Sequence, residues 1–162
     1  TCPFSGDILT AVGAIKPDVA IVHLQRADKF GNAHSWGNLG LTRDACLASR
    51  HVVMTAEEIV TPDQISSDPN RVVTPGFKVS AVAHVPWGGH PSPVPGNYNR
   101  DHAAFIDYRR ESRTREVFLR WRDRWIDNCK DREAYLRLLG SDRLESLGIT
   151  HHAWSEPVDY GY

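Results

Sequence analysis

At 162 residues the chain is long enough for one domain and one core, and a hydrophobic fraction of 41% with 24% charged residues argues against disorder. Nineteen basic and 20 acidic side chains give a net charge of −1, so no global field recruits nucleic acid or an anionic membrane. No apolar run approaches the roughly 20 residues that a membrane span requires.

Thr1 stands in place of Met. With Cys2-Pro3-Phe4-Ser5-Gly6 it reads as the interior of a longer polypeptide, from processing or truncation. An N-terminal Thr can be a nucleophile, but the small-residue strand environment such sites need is absent. Cys2, Cys46 and Cys129 are odd in number and lack metal-ligand spacing, which fits a reduced cytoplasmic setting.

Three short runs rich in Val, Ala and Ile read as buried strands: Asp18–Leu24, His51–Thr55 and Lys78–Val85. Thr42–Ser49 lies between the first two as a helix opened near Thr42 or Asp44, which predicts a β-α-β crossover and a parallel or mixed sheet covered on both faces. Thr61-Pro62-Asp63 opens a short helix through about Ser66, and Pro69 stops it. After the Gly/Pro-rich stretch 88–99 the character becomes helical. Asp101 caps His102–Arg110. Val117, Phe118, Trp121, Trp125 and Cys129 form one apolar stripe over 114–129. Asp131 caps a helix closed by Gly140, and Ser141 caps a last turn through Leu147. The aromatic tail His151–Tyr162 is expected to dock on a neighbouring surface. The architecture is therefore α/β with a helical C-terminal part. It reads as a single domain over 1–162, made of an α/β part at 1–100 and a helical part with tail at 101–162.

The most telling segment is Val85-Pro86-Trp87-Gly88-Gly89-His90-Pro91-Ser92-Pro93. Two glycines after a strand bring backbone close to something, and the turn holds an imidazole and a hydroxyl beside it. An ordinary strand-to-loop turn is the competing reading. Glu57 and Glu58 stand at the carboxyl end of a strand, where α/β sheets bind ligands, and at most one can face a site. Strand alternation puts His23 and Gln25 on one face and Arg26 on the other, with Ser35-Trp36-Gly37 following. Gln25 could donate to a ligand; His23 more often serves as a hydrogen-bonded core residue. The arginines between Arg109 and Arg124 are interleaved with Asp107, Glu111, Glu116 and Asp123, which indicates a solvated face of local ion pairs. HExxH, GxSxG, GxGxxG and Walker patterns are all missing, and His151-His152 is too isolated to argue for a metal site.

Several segments together carry a resemblance. Lys16-Pro17-Asp18-Val19-Ala20-Ile21-Val22-His23, Gly31-Asn32 with Trp36-Gly37, Glu57-Glu58-Ile59-Val60, Ser67-Asp68-Pro69-Asn70, Pro75-Gly76 and Gly88-Gly89-His90-Pro91-Ser92 occur in this order. They resemble the second half of the A subunit of class I CoA-transferases of the glutaconate type, from about Phe4 to about Leu147. The resemblance implies an α/β CoA-transferase fold and exchange of CoA between an acyl-CoA thioester and a carboxylic acid. A glutamate of the B subunit, followed by a small residue and glycine, forms a glutamyl-CoA intermediate in that family. No glutamate here has that sequel, so no catalytic residue is expected in this chain.

The implied partners are the absent first half of the A subunit, together with the B subunit of a CoA-transferase. Coenzyme A would be a substrate, with no permanently bound cofactor and no metal. His90, Ser92, Gly89, Gln25, Glu57 and Trp36 are the expected substrate-binding residues. Ring-fission thioester hydrolases also resemble this A subunit, but there the Gly-His turn lacks the following Pro-Ser. A non-catalytic assembly module is the other alternative.

Overall fold

Val19–Ala27 (β1) and His51–Ile59 (β3) pair in parallel along almost their whole length, because both are runs of β-branched and small apolar residues. Ala81–His84 (β4) adds in parallel to β3, and the two-residue strand Ala33–His34 (β2) pairs antiparallel with the end of β1. The sheet is mixed, in the order β2-β1-β3-β4. A computed structural model describes residues 1–149, so the expectation for the tail His151–Tyr162 lies outside the described residues.

Between β1 and β3 runs Thr42–Ala48 (α1), the expected crossover, although its N-cap position is Leu41 with no side-chain cap. Pro62–Ser66 (α2) opens with a full capping box, Thr61 and Gln64 satisfying each other's backbone. The run before β4 is not all strand: Gly76–Lys78 forms a 3-10 turn. Beyond it come His102–Glu111 (α3), Arg115–Arg122 (α4), Arg132–Leu139 (α5) and Ser141–Leu147 (α6). Asp101, Thr114 and Asp131 cap α3, α4 and α5 through their side chains, each worth about 1 kcal/mol. Ser141 does not cap α6. Gly140, at φ +88°, holds the N-cap position there while closing α5.

The even-numbered residues Ala20, Val22, Leu24, Val52, Met54 and Ala56 form the core with Cys46 of α1. The other face is closed at one end only. The loop after β4 covers it near His23 and Glu57, whereas Ile21 is 75% exposed and Val19, Ala81 and Ala83 are also exposed. Coverage of both faces was the expectation, and within residues 1–149 the second face is covered in part. Among the described residues no helix is long and apolar enough to cross a membrane.

Candidate functional site

The carboxyl ends of β1 and β3 bring His23, Thr55 and Glu57 together, through the register that pairs His23 with Thr55. Glu57 is buried and fully engaged. Its Oε1 accepts from His23 Nε2 at 2.6 Å and from Tyr98 Oη at 2.6 Å, and its Oε2 accepts from the Trp87 N–H at 2.6 Å. Burial alone would raise this carboxyl, but the hydrogen bonds from His23, Tyr98 and Trp87 outweigh it and hold the pKa below the usual glutamate value. Burial, then the hydrogen bond to Glu57 and the Glu57 charge, push the Tyr98 phenol far up, so it remains a donor. Glu58 is exposed.

The loop that follows β4 is knotted onto these groups. Trp87 takes φ +62°, a left-handed conformation costly for a bulky residue, and stacks on Tyr98 with centroids 4.2 Å apart. Its N–H is held by Glu57, and its carbonyl, with that of Pro86, accepts from Arg132 of α5. The two glycines are required by close approach. A Cβ on Gly88 would meet the His23 ring at 2.5 Å, and one on Gly89 would meet Val94 at 2.6 Å and the Tyr98 hydroxyl at 3.0 Å. The backbone therefore lies against the protein's own side chains. The N–H groups of residues 87–90 and 92 are bonded internally, to Glu57, Val85 O, Tyr98 Oη, Trp87 O and Gly89 O.

His90 turns away from the sheet. Its side chain is 2% exposed, with Nε2–H donating to Asp101 Oδ2 at 2.8 Å and Nδ1 accepting from Tyr135 Oη at 2.6 Å. Burial lowers its pKa despite Asp101, and the two partners match a neutral imidazole. Asp101 also takes two bonds from Arg143, at 2.5 and 2.7 Å, and caps α3. Burial would raise Asp101, but Arg143 and the other donors bring it down to about 2. This network seats α3, α5 and α6 on the loop. Tyr135→Phe leaves His90 Nδ1 buried without its donor and is expected to cost about 1–3 kcal/mol in urea unfolding.

A polar cavity of about 510 Å³ opens beside this knot, bounded by His23, Gln25, Trp36, Leu39, Thr42 and Pro95. Gln25 is buried, donating to Trp36 O and Pro95 O and accepting from Ser35 Oγ. Its amide is therefore committed to the cavity wall. Trp36 is half-buried at the cavity, flanked by the guanidiniums of Arg26 and Arg71 at 5.5 and 5.7 Å from its ring. Ser92 is exposed. Of the six expected residues, Gln25 and Trp36 line one cavity, while Glu57 and Gly89 belong to the adjoining knot. His90 sits on the opposite side of the loop, among the helices. Tyr98, Asp101, Arg132, Tyr135 and Arg143 join these networks without any sequence motif that marks them. Of these, only Asp101 carried a local signal, as a helix cap.

Residues 1–85 match the coenzyme A transferase family. The chain belongs to that family. It is 42% identical over 130 residues to the A subunit of 3-oxoadipate CoA-transferase from Pseudomonas knackmussii, covering 80% of this chain and 45% of that protein. It is 35% identical to the A subunit of glutaconate CoA-transferase from Acidaminococcus fermentans, covering 91% of this chain and 46% of that one. The crystal structure of glutaconate coenzyme A-transferase from that organism superposes with a TM-score of 0.85 at 34% identity, over 91% of this chain and 46% of the other. A decarboxylase AibA/AibB variant superposes at 0.53 with 28% identity, over 74% and 44%. The chain spans about half the length of the relatives it matches. The expected family and α/β fold are both borne out.

Proposed function

We propose that this chain is the second half of the A subunit of a heteromeric CoA-transferase, which moves CoA between an acyl-CoA thioester and a carboxylic acid. The likeness to two A subunits and to the glutaconate enzyme supports the class. One observation carries the division of labour. Glu57, the buried carboxylate bonded to the cavity-wall residue His23, has both oxygens engaged by three donors, which commits it to the fold and not to an incoming thioester. The nucleophilic glutamate then belongs to a B subunit, with glutamyl-CoA forming there.

In this reading Trp36 and Gln25 wall the acyl or CoA pocket, and exposed Ser92 reaches toward the ligand. Gly89, Glu57 and His90 fix the loop between them. Coenzyme A enters as substrate, without a permanent cofactor. The bare sheet face around Ile21 supports a further segment of the A subunit packing there, because parallel sheets are normally covered on both sides. The chain acts as one domain over 1–162, its α/β part at 1–100 tied to the helical part that follows by the His90–Asp101 and Arg132–Pro86 hydrogen bonds. Three free cysteines fit a cytoplasmic location.

The test uses the assembled complex and an acyl-CoA, with and without an added carboxylic acid. Transfer predicts that new acyl-CoA forms only with the acceptor and that little free CoA appears without it. Acceptor-independent release of CoA would identify a thioester hydrolase instead. Loss of neither activity in Glu57→Gln and Trp36→Ala complexes would identify an assembly module.

A further inference from the structure

On the far side of the loop from the polar cavity lies a second one, of about 350 Å³, between α3, α4 and α5. Its walls are the rings of Phe105, Tyr108, Trp121, Trp125 and Tyr135. The neighbouring rings meet edge-on or tilted, Tyr108 with Trp121 at 4.8 Å and Trp125 with Tyr135 at 5.9 Å, so they leave a slot instead of stacking it shut. The size lies within the range of small-molecule pockets.

The backbone beside this slot is unusual. After α4 the chain runs through a π-helical turn, Asp123–Asp127, which carries Trp125 and Ile126 on the pocket wall. Such turns are rare and concentrate at functional sites. Trp121 of α4 and Trp125 of this turn both line the slot.

The charged side chains on the lining are Arg143 and Asp107, with Arg132 and Asp101 just behind them. Arg143 lines the cavity, and Arg132 sits over the Tyr135 ring at 4.5 Å. Against these two guanidiniums stands one buried carboxylate, Asp101, with neutral His90 beside it. Asp107, also on the wall, is paired with Arg110 at 2.7 Å. Arg143 presents Nε and Nη2 to Asp101, and no protein acceptor for its Nη1 is found among the described residues.

We propose that this aromatic cavity binds a small monoaromatic carboxylate, its ring in the slot and its carboxylate on Arg143. The assignment does not depend on the transferase reading. Because His90 and Pro91 of the loop form part of the wall, a ligand here contacts the same loop that borders the polar cavity through Pro93 and Pro95.

The experiment is equilibrium dialysis of the assembled complex with phenylacetate, in the absence of CoA, with phenylacetamide and acetate as comparisons. The expected result is saturable binding of one phenylacetate per chain, at least tenfold tighter than either comparison. Two variants fill the slot, Ala104→Phe from its wall and Ile126→Phe from its exposed rim. Each variant that keeps the wild-type circular dichroism spectrum should lose at least tenfold in affinity. Binding that does not saturate, that is unchanged by filling, or that is equal for the uncharged amide would overturn the proposal. Since no CoA is present, failure here leaves the transferase reading untouched, and failure of transfer leaves this one untouched.

Discussion

Glu57→Gln is expected to cost about 3 kcal/mol of stability and to lower the activity of the assembled complex about a hundredfold, or about 2.7 kcal/mol of transition-state stabilisation. A carboxylate can accept from His23, Tyr98 and the Trp87 N–H at once. An amide cannot. Whichever way it is turned, its NH₂ faces a donor, and a buried donor loses its partner. If the Trp87 N–H is the one released, the left-handed Trp87 is held only by the Arg132 and His90 bonds to its carbonyl and by its stack on Tyr98, and the segment 87–92 can relax away from the cavity. Urea unfolding measures the first effect and steady-state turnover of the complex the second. Glu57→Gln with full turnover and unchanged stability would remove this carboxylate from the account.

Asp101→Ala is expected to cost about 3–5 kcal/mol, because it strands a buried His90 N–H and the Arg143 guanidinium and deletes the cap of α3. Circular dichroism should show the helical C-terminal part melting below the sheet. The same network makes the fold acid-sensitive. Asp101 titrates lower in the fold, at about 2, than its ordinary 3.8, so its contribution is present above the ordinary value and is lost as pH falls toward 2. His90 is also lowered in the fold, so below about 6.5 the unfolded chain takes up its proton first and stability declines. Both signs agree. The melting temperature should fall between pH 7 and pH 2, and Asp101→Ala should lose the part of that fall below about pH 4.

The core strands could be read from their apolar runs, but β1 and β3 extend past them through Gln25-Arg26-Ala27 and Ala56-Glu57-Glu58-Ile59. Those polar residues belong to strands because partners outside their own strand satisfy them: Gln25 on Pro95, Arg26 on His34, Glu57 on Tyr98. The strand Ala33–His34 is two residues long and carries no periodic signal at all. Helix caps were legible because capping is local, with Asp101 and Asp131 standing where their side chains reach the third residue on.

The loop at 85–93 shows the limit most clearly. Two glycines announce a close approach, yet only the fold reveals that what approaches is His23 and Tyr98. His90 faces α5 and α6 because Tyr135 folds back over 45 residues onto it and Arg143 over 42 onto its partner Asp101, distances that no local pattern encodes. The arginine-rich helices were legible as a solvated face, and pairs such as Arg120–Glu116 and Arg124–Glu111 are formed there.

In the proposed division of labour this chain walls the site and another chain supplies the nucleophile. Intact-mass spectrometry of the assembled complex, quenched after mixing with acyl-CoA, shows which chain takes the CoA. The expected result is a CoA adduct, less one water, on the partner chain, with the mass of this chain unchanged. A CoA adduct on this chain, abolished by Glu57→Gln, would contradict it.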